Sequence, residues 1–172
     1  MNKQTKAKGF TIIEVVLVLA IAGLIFLIVF LAVPALQRGQ RDSQRRSDAS
    51  RLLSGVQQYQ SNNKGNLPQT QTEVDAMILN YLLVSNDTWE DPRNVGVRDY
   101  DATAAVKNGY NTTWLDGATA ANLNRTVPDG QVDFVAKARC AGENGALVSA
   151  TATDSVALRV KLEGGGHYCV NN

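Results

Sequence analysis

Glu14 is a carboxylate with an apolar segment directly behind it. In Lys8-Gly9-Phe10-Thr11-Ile12-Ile13-Glu14 it is the last charge before Val15–Leu36, a run of 22 residues that carries none. An ionised group at membrane depth costs about 2.5–3.5 kcal/mol at the centre of a helix and less near its end. Two readings follow. Either Glu14 reaches the interface from the start of the segment, or it pairs with a positive charge inside an apolar assembly. Lys3, Lys6 and Lys8 precede it, with no acid among them.

Other chemistry has little to build on. The one histidine, His167, neighbours Cys169 in a short predicted strand, so a Ser-His-Asp arrangement would have to recruit it from there. Two cysteines and one histidine fall short of a closed zinc site unless a carboxylate joins them. Asp87, Glu90, Asp91, Asp99 and Asp101 lack the regular ligand spacing and glycine turn of a calcium loop, and Arg93 and Arg98 interrupt them. They read as a solvated loop. Gly164-Gly165-Gly166 is a turn with no helix after it, not a phosphate cradle. No enzyme, metal or cofactor is expected. Asn86, Asn111 and Asn124 begin sequons, which matter only in a host that glycosylates asparagine.

The elements that position Glu14 begin at the N-terminus. Residues 1–9 read as a targeting segment. Ala20-Ile21-Ala22 has the small-x-small form of a secretory cleavage site, but strong hydrophobicity continues well beyond it. Val15–Leu36 is long enough to cross a bilayer core of roughly 30 Å as a helix. The helix is predicted from about Phe10 to about Asn62, with Phe10 and Glu14 four apart on one face. Gly23 and Pro34 are expected to weaken or break it, because Pro34 lacks a donor and crowds the carbonyl of Phe30. The positive-inside rule does not settle orientation, since Arg38, Arg41, Arg45, Arg46 and Arg51 face the three lysines across the span.

From Gln40 the pattern turns amphipathic, with Ala49, Leu52, Leu53, Val56 and Tyr59 on one face and Arg45, Ser54, Gln57 and Gln58 opposite. The arginine cluster reads as a solvated collar with Asp42 and Asp48; binding to lipid headgroups or a neighbour's acids is the alternative. Asn62–Pro68 ends the helix. A second helix is predicted over Glu73–Val84, started by Thr72 and Asp75. Residues 85–130 read as loop-rich, with turns and room for one short strand or helix. Four strands follow, at Val132–Arg139, Ala146–Thr151, Val156–Glu163 and His167–Val170. Each has one apolar face, which predicts an antiparallel sheet covered on one side by the Leu52/Val56 face.

The totals fit one domain plus this helix: 172 residues, 44% hydrophobic, net charge +1. A near-neutral chain gives no bulk electrostatic reason to expect nucleic acid. Cys140 and Cys169 suffice for one disulfide, worth roughly 3.6 kcal/mol on a loop-entropy model and requiring an oxidising compartment; two buried free thiols are the alternative.

The N-terminal stretch resembles the class III leader of type IV pilins and pseudopilins: a short basic leader, a glycine, then Phe10, Thr11, Ile12, Ile13 and Glu14 ahead of an apolar helix. The resemblance implies that a prepilin peptidase cuts between Gly9 and Phe10 and methylates the Phe10 amine. It implies that Glu14 then meets the Phe10 amine of a neighbouring subunit. Gly23 and Pro34 would let the helix stretch, and the disulfide would bound the C-terminal region. The expected fold is α+β and pilin-like: a leader (1–9), a hydrophobic transmembrane and assembly helix (10–39) and a globular head (40–172). Within the head fall an amphipathic half-helix (40–62), a loop region (63–130) and a sheet (131–172). The expected partners are membrane lipid before assembly, the assembly platform of the inner or cytoplasmic membrane, and further copies in a helical filament. Such filaments serve adhesion, twitching motility or DNA uptake. A type II secretion pseudopilin and a monomeric membrane-anchored binding module are the alternatives.

Overall fold

The computed structural model describes residues 9–84, 88–95, 97–99, 108–142 and 145–172. Lys3, Lys6, Lys8, Asn86, Asp87 and Asp101 lie outside the described residues. The chain divides into two compact units, residues 1–38 and 39–172.

In the first unit, helix α1 (Ile12–Asn62) begins, and it continues unbroken through Gly23 and Pro34. Helical secondary structure thus persists at both positions. Pro34 deletes one donor, and an interior glycine costs about 1 kcal/mol against alanine. Each is a local weakness flanked by strong helix formers. One 18-residue window of α1 has a mean hydropathy of 3.3 with none of it buried within the chain, long and apolar enough to cross a membrane. From Phe10 to Leu36 the large apolar side chains are 43–88% exposed.

In the second unit α1 becomes a core element. Ala49, Leu52 and Val56 are at most 1% exposed. The helix ends where Lys64 and Gly65 take positive φ and the Gly65 N–H donates to the Gln60 carbonyl at 2.8 Å. Helix α2 (Gln71–Tyr81) starts earlier than predicted. Its N-cap is Thr70, whose hydroxyl accepts the Glu73 N–H at 3.3 Å, while Glu73 reaches back to the Gln69 N–H at 2.6 Å. Val74, Met77 and Ile78 of α2 join the α1 core.

The remaining elements are β1 (Val97–Asp99), β2 (Asn108–Asp116), α3 (Ala120–Leu123), β3 (Gln131–Ala136), β4 (Ala138–Cys140), β5 (Leu147–Ser149), β6 (Val156–Lys161) and β7 (His167–Asn171). The main sheet has the order β1-β2-β3-β6-β7, and β4-β5 form a separate pair. The sheet is mostly antiparallel, with one correction: β2 and β3 run parallel, from Asn111↔Gln131 to Asp116↔Ala136. Parallel neighbours need a crossover of about a dozen residues, and residues 117–130, with α3, supply it.

A second correction concerns the faces. The sheet is covered on both sides, not one, and β3 is buried along its whole length. Val132, Phe134, Leu158 and Val160 face the core of α1 and α2. On the other side Val135 and Ala157 pack with Ala138 and Leu147, alongside Leu115, Leu123, Cys140 and Cys169. β3 leaves the main sheet at Lys137, whose φ is 55°, and the chain continues as β4. There Gly117 presses on backbone: an added Cβ would lie 2.6 Å from the Ala136 carbonyl oxygen and 2.9 Å from that of Lys137. At Gly55 the nearest atom is the tip of a side chain, Leu82 Cδ1 at 2.3 Å. Gly117→Ala is therefore expected to exceed the usual 1–3 kcal/mol cost of overpacking, and Gly55→Ala to stay within about that range. Urea titration of both variants checks the order.

Candidate assembly site and the ion-pair cluster

Phe10 lies just ahead of α1 and is 88% exposed. Gly9 beside it has nothing within 4 Å of where a Cβ would stand. The Gly9–Phe10 peptide is thus outside the helix and sterically open. One turn on, the Thr11 N–H and hydroxyl donate to Glu14 Oε2 at 2.9 and 2.8 Å, and the Glu14 N–H donates to Thr11 Oγ1 at 3.3 Å. Thr11 and Glu14 thus act as the two ends of a capping box, with Thr11 as N-cap and Glu14 at the third helical position. Glu14 has a local role that sequence reasoning missed, although Thr-x-x-Glu before an apolar run is its signature. Phe10, Ile13, Glu14, Leu17 and Val18 line one apolar surface hollow.

Of the arginines after the apolar run, Arg41, Arg45 and Arg51 are tied into the head rather than forming a solvated collar, while Arg38 and Arg46 are exposed, Arg46 over the Tyr168 ring. Arg45 is 1% exposed. Its Nε and Nη2 donate to Asp91 at 2.7 and 3.1 Å, and Nη2 also reaches Glu163 Oε1 at 3.3 Å. Arg41 grips Glu163 through two bonds of 2.8 Å. Arg93 approaches the same carboxylate at 2.9 Å and Asp129 at 3.0 Å. Asp42 accepts the Glu163 and Gly164 N–H groups at 2.7 and 2.9 Å, fixing the turn after β6. Asp48 accepts the Tyr110 hydroxyl at 3.0 Å, and its carbonyl accepts the Trp89 indole N–H at 3.0 Å. Burial, with the Asp48 charge second, pushes the Tyr110 hydroxyl far above its ordinary range. Asp91, read from sequence as part of a solvated loop, is 2% exposed and paired with Arg45.

A smaller buried pair sits on the other face of the sheet. Asp133 and Arg159 stand opposite each other in the β3–β6 ladder and meet at 3.2 Å, with Arg125 at 3.4 Å from Asp133. His167 accepts the Val127 N–H at Nε2 (3.4 Å), which commits the imidazole to a neutral form here. Burial, with Arg159 next, holds it below its ordinary value. Cys140 and Cys169 form a disulfide with a Cα separation of 5.8 Å.

The ion pairs give a sign for the pH response. Glu163 is held below the ordinary glutamate value of 4.5, above all by the Arg41 hydrogen bond. Asp129 is lowered by hydrogen bonds from Lys161 and then Arg93. A depressed folded value gives stability that is full above the unfolded value and lost as the pH falls through the folded one. Asp133 runs the other way: burial raises it, so its contribution is lost as the pH rises through its folded value. The urea midpoint is expected to fall as the pH drops below 4.5. Glu163→Gln should flatten that acid limb; an unchanged limb would assign it to other carboxylates.

A long helix laid on a small, mostly antiparallel sheet with a C-terminal disulfide is pilin-like architecture. The profile of the prokaryotic N-terminal methylation motif matches residues 4–30, consistent with a type IV pilin or pseudopilin. No curated protein and no solved structure matches the chain. The motif points to a structural protein rather than an enzyme.

Proposed function

We propose that the chain is the precursor of a structural subunit of an extracellular type IV pilus. A prepilin peptidase cuts between Gly9 and Phe10 and methylates the new amine. The subunit rests in membrane lipid as a single-pass protein. The assembly platform then adds it to a helical filament through its apolar helix, where Glu14 faces the Phe10 amine of a neighbour and Gly23 and Pro34 give the helix room to stretch. The observation that carries this reading is the apolar face of α1. From Phe10 to Leu36 its large apolar side chains are exposed among the described residues, and most of this stretch lies within the methylation-motif match at residues 4–30. Lipid first and other copies later are the partners such a surface accepts.

The test is the mass and N-terminal sequence of the protein recovered from its host. A start at Phe10 with one added methyl is expected. An intact Met1, or a cut near Ala22, would overturn the reading and leave an anchored or secreted head. Deleting the gene separates pilus from secretion pseudopilus: surface filaments disappear in the first case, and export of secreted enzymes fails in the second.

A further inference from the structure

The end of α1 and the turn that follows hold a polar hollow of about 470 Å³, within the usual size range of small-molecule sites. Four amides line it, and each is anchored to the protein through one of its two N–H groups. Asn62 donates to the Tyr81 hydroxyl at 3.0 Å and Asn63 to the Tyr59 carbonyl at 2.8 Å. Asn66 donates to the Asn63 carbonyl at 3.0 Å, and Gln69 to that of Leu67 at 3.0 Å. Among the described residues no donor is bonded to the four amide oxygens, so each is an acceptor whose direction is set by its anchored nitrogen. Leu67, 3% exposed, and the half-buried ring of Tyr59 give the hollow an apolar side, and Tyr81 braces that ring edge-on at 6.2 Å. Lys64 and Glu73 complete the lining with opposite charges.

We propose that this hollow is a binding site for a neutral carbohydrate. A pyranose supplies what the site asks for: several hydroxyls, each able to donate to an amide oxygen and to accept from a remaining amide N–H, spaced a few ångströms apart around a C–H face that packs on a tyrosine ring. The balanced charges of Lys64 and Glu73 favour an uncharged sugar over a sialic or uronic acid. Oriented acceptors gain affinity because their ordering has already been met by the fold. The site lies in the head unit and is independent of the apolar helix, so its failure would leave the filament reading untouched.

The test uses the full chain in micelles of a phosphocholine-headgroup detergent, which carries no sugar. Saturation-transfer NMR is run with glucose, galactose, mannose, N-acetylglucosamine and their disaccharides. Irradiating protein methyl groups is expected to saturate pyranose C–H protons of at least one sugar. Asn66→Ala combined with Gln69→Ala should weaken that binding about fivefold or more, as the loss of directed acceptors requires. Both residues are exposed, and the Trp89 fluorescence melt verifies that the variant folds. Silence across all the sugars, or equal binding by a folded variant, overturns the proposal.

Discussion

Arg45→Met is expected to lower the unfolding free energy of the head by about 3–5 kcal/mol, because it removes the cation from a buried pair and strands the anion. Asp91 would be the stranded group. It has 0% side-chain exposure and takes both of its short guanidinium bonds from Arg45, with the Arg93 N–H at 2.9 Å and the Arg93 Nε at 3.9 Å left to it. Glu163 would suffer less, since Arg41 and Arg93 still reach it. A loss of that size corresponds to roughly 10–15 °C in melting temperature for a domain of this length. The buried indole of Trp89, bonded to the backbone at Asp48, reports it by fluorescence. Replacing both partners, Arg45→Met with Asp91→Leu, should recover at least half of the loss, because no unpaired charge is left inside. A single-variant cost under about 1 kcal/mol would mean that the pair behaves as a solvated surface bridge.

Glu14→Ala and Glu14→Gln should separate the two roles open to this side chain. The structure gives Glu14 a share in the capping box with Thr11, and glutamine serves that role nearly as well as glutamate. If capping were its whole purpose, Glu14→Gln would make filaments as the native chain does. Pairing with a neighbour's amine needs the charge, which glutamine lacks. Both variants are therefore expected to insert in the membrane normally and to yield filaments reduced at least about tenfold, the equivalent of one 1.4 kcal/mol step in assembly. Filaments are counted by electron microscopy, with membrane fractionation as the control. Native filament numbers from Glu14→Gln would confine Glu14 to its cap.

The two halves of α1 were legible in the sequence to different degrees. The apolar run speaks through composition alone. In the amphipathic half, spacing alone places Ala49, Leu52 and Val56 in the core, yet charge alone puts Arg45 and Asp48 on the wet side. Their positions say otherwise: 45, 48, 49, 52 and 56 continue one helical stripe, and all five are buried. Residue type outweighed period where period was right. The same substitution of type for position hid the second face of the sheet. Asp133 and Arg159 look like outward charges until the register sets them opposite each other. β2 was missed for a different reason. Of Asn108–Asp116 only Tyr110, Trp114 and Leu115 are large and apolar, and the strand is held by its ladder to β3, by the packing of those three and by polar links such as the Gln71 side chain accepting the Trp114 N–H at 2.7 Å. Its parallel pairing depends on a crossover whose path no local pattern encodes.

The clasp between Arg41, Asp42 and Arg45 and the turn after β6 also sets a clock. Arg41 and Glu163 are separated by 122 positions in the chain. At a synthesis rate of 5–20 residues per second, on the order of ten seconds passes between the appearance of one side and the other. Throughout that interval the Leu52/Val56 stripe has no strand β6 to cover it and the arginines have no Glu163 to meet. Contacts this distant in sequence form late and slowly. Completion of the head therefore waits on Glu163 and β7 to emerge. A chain cut before Glu163 would keep its apolar helix and lose the closure of its head.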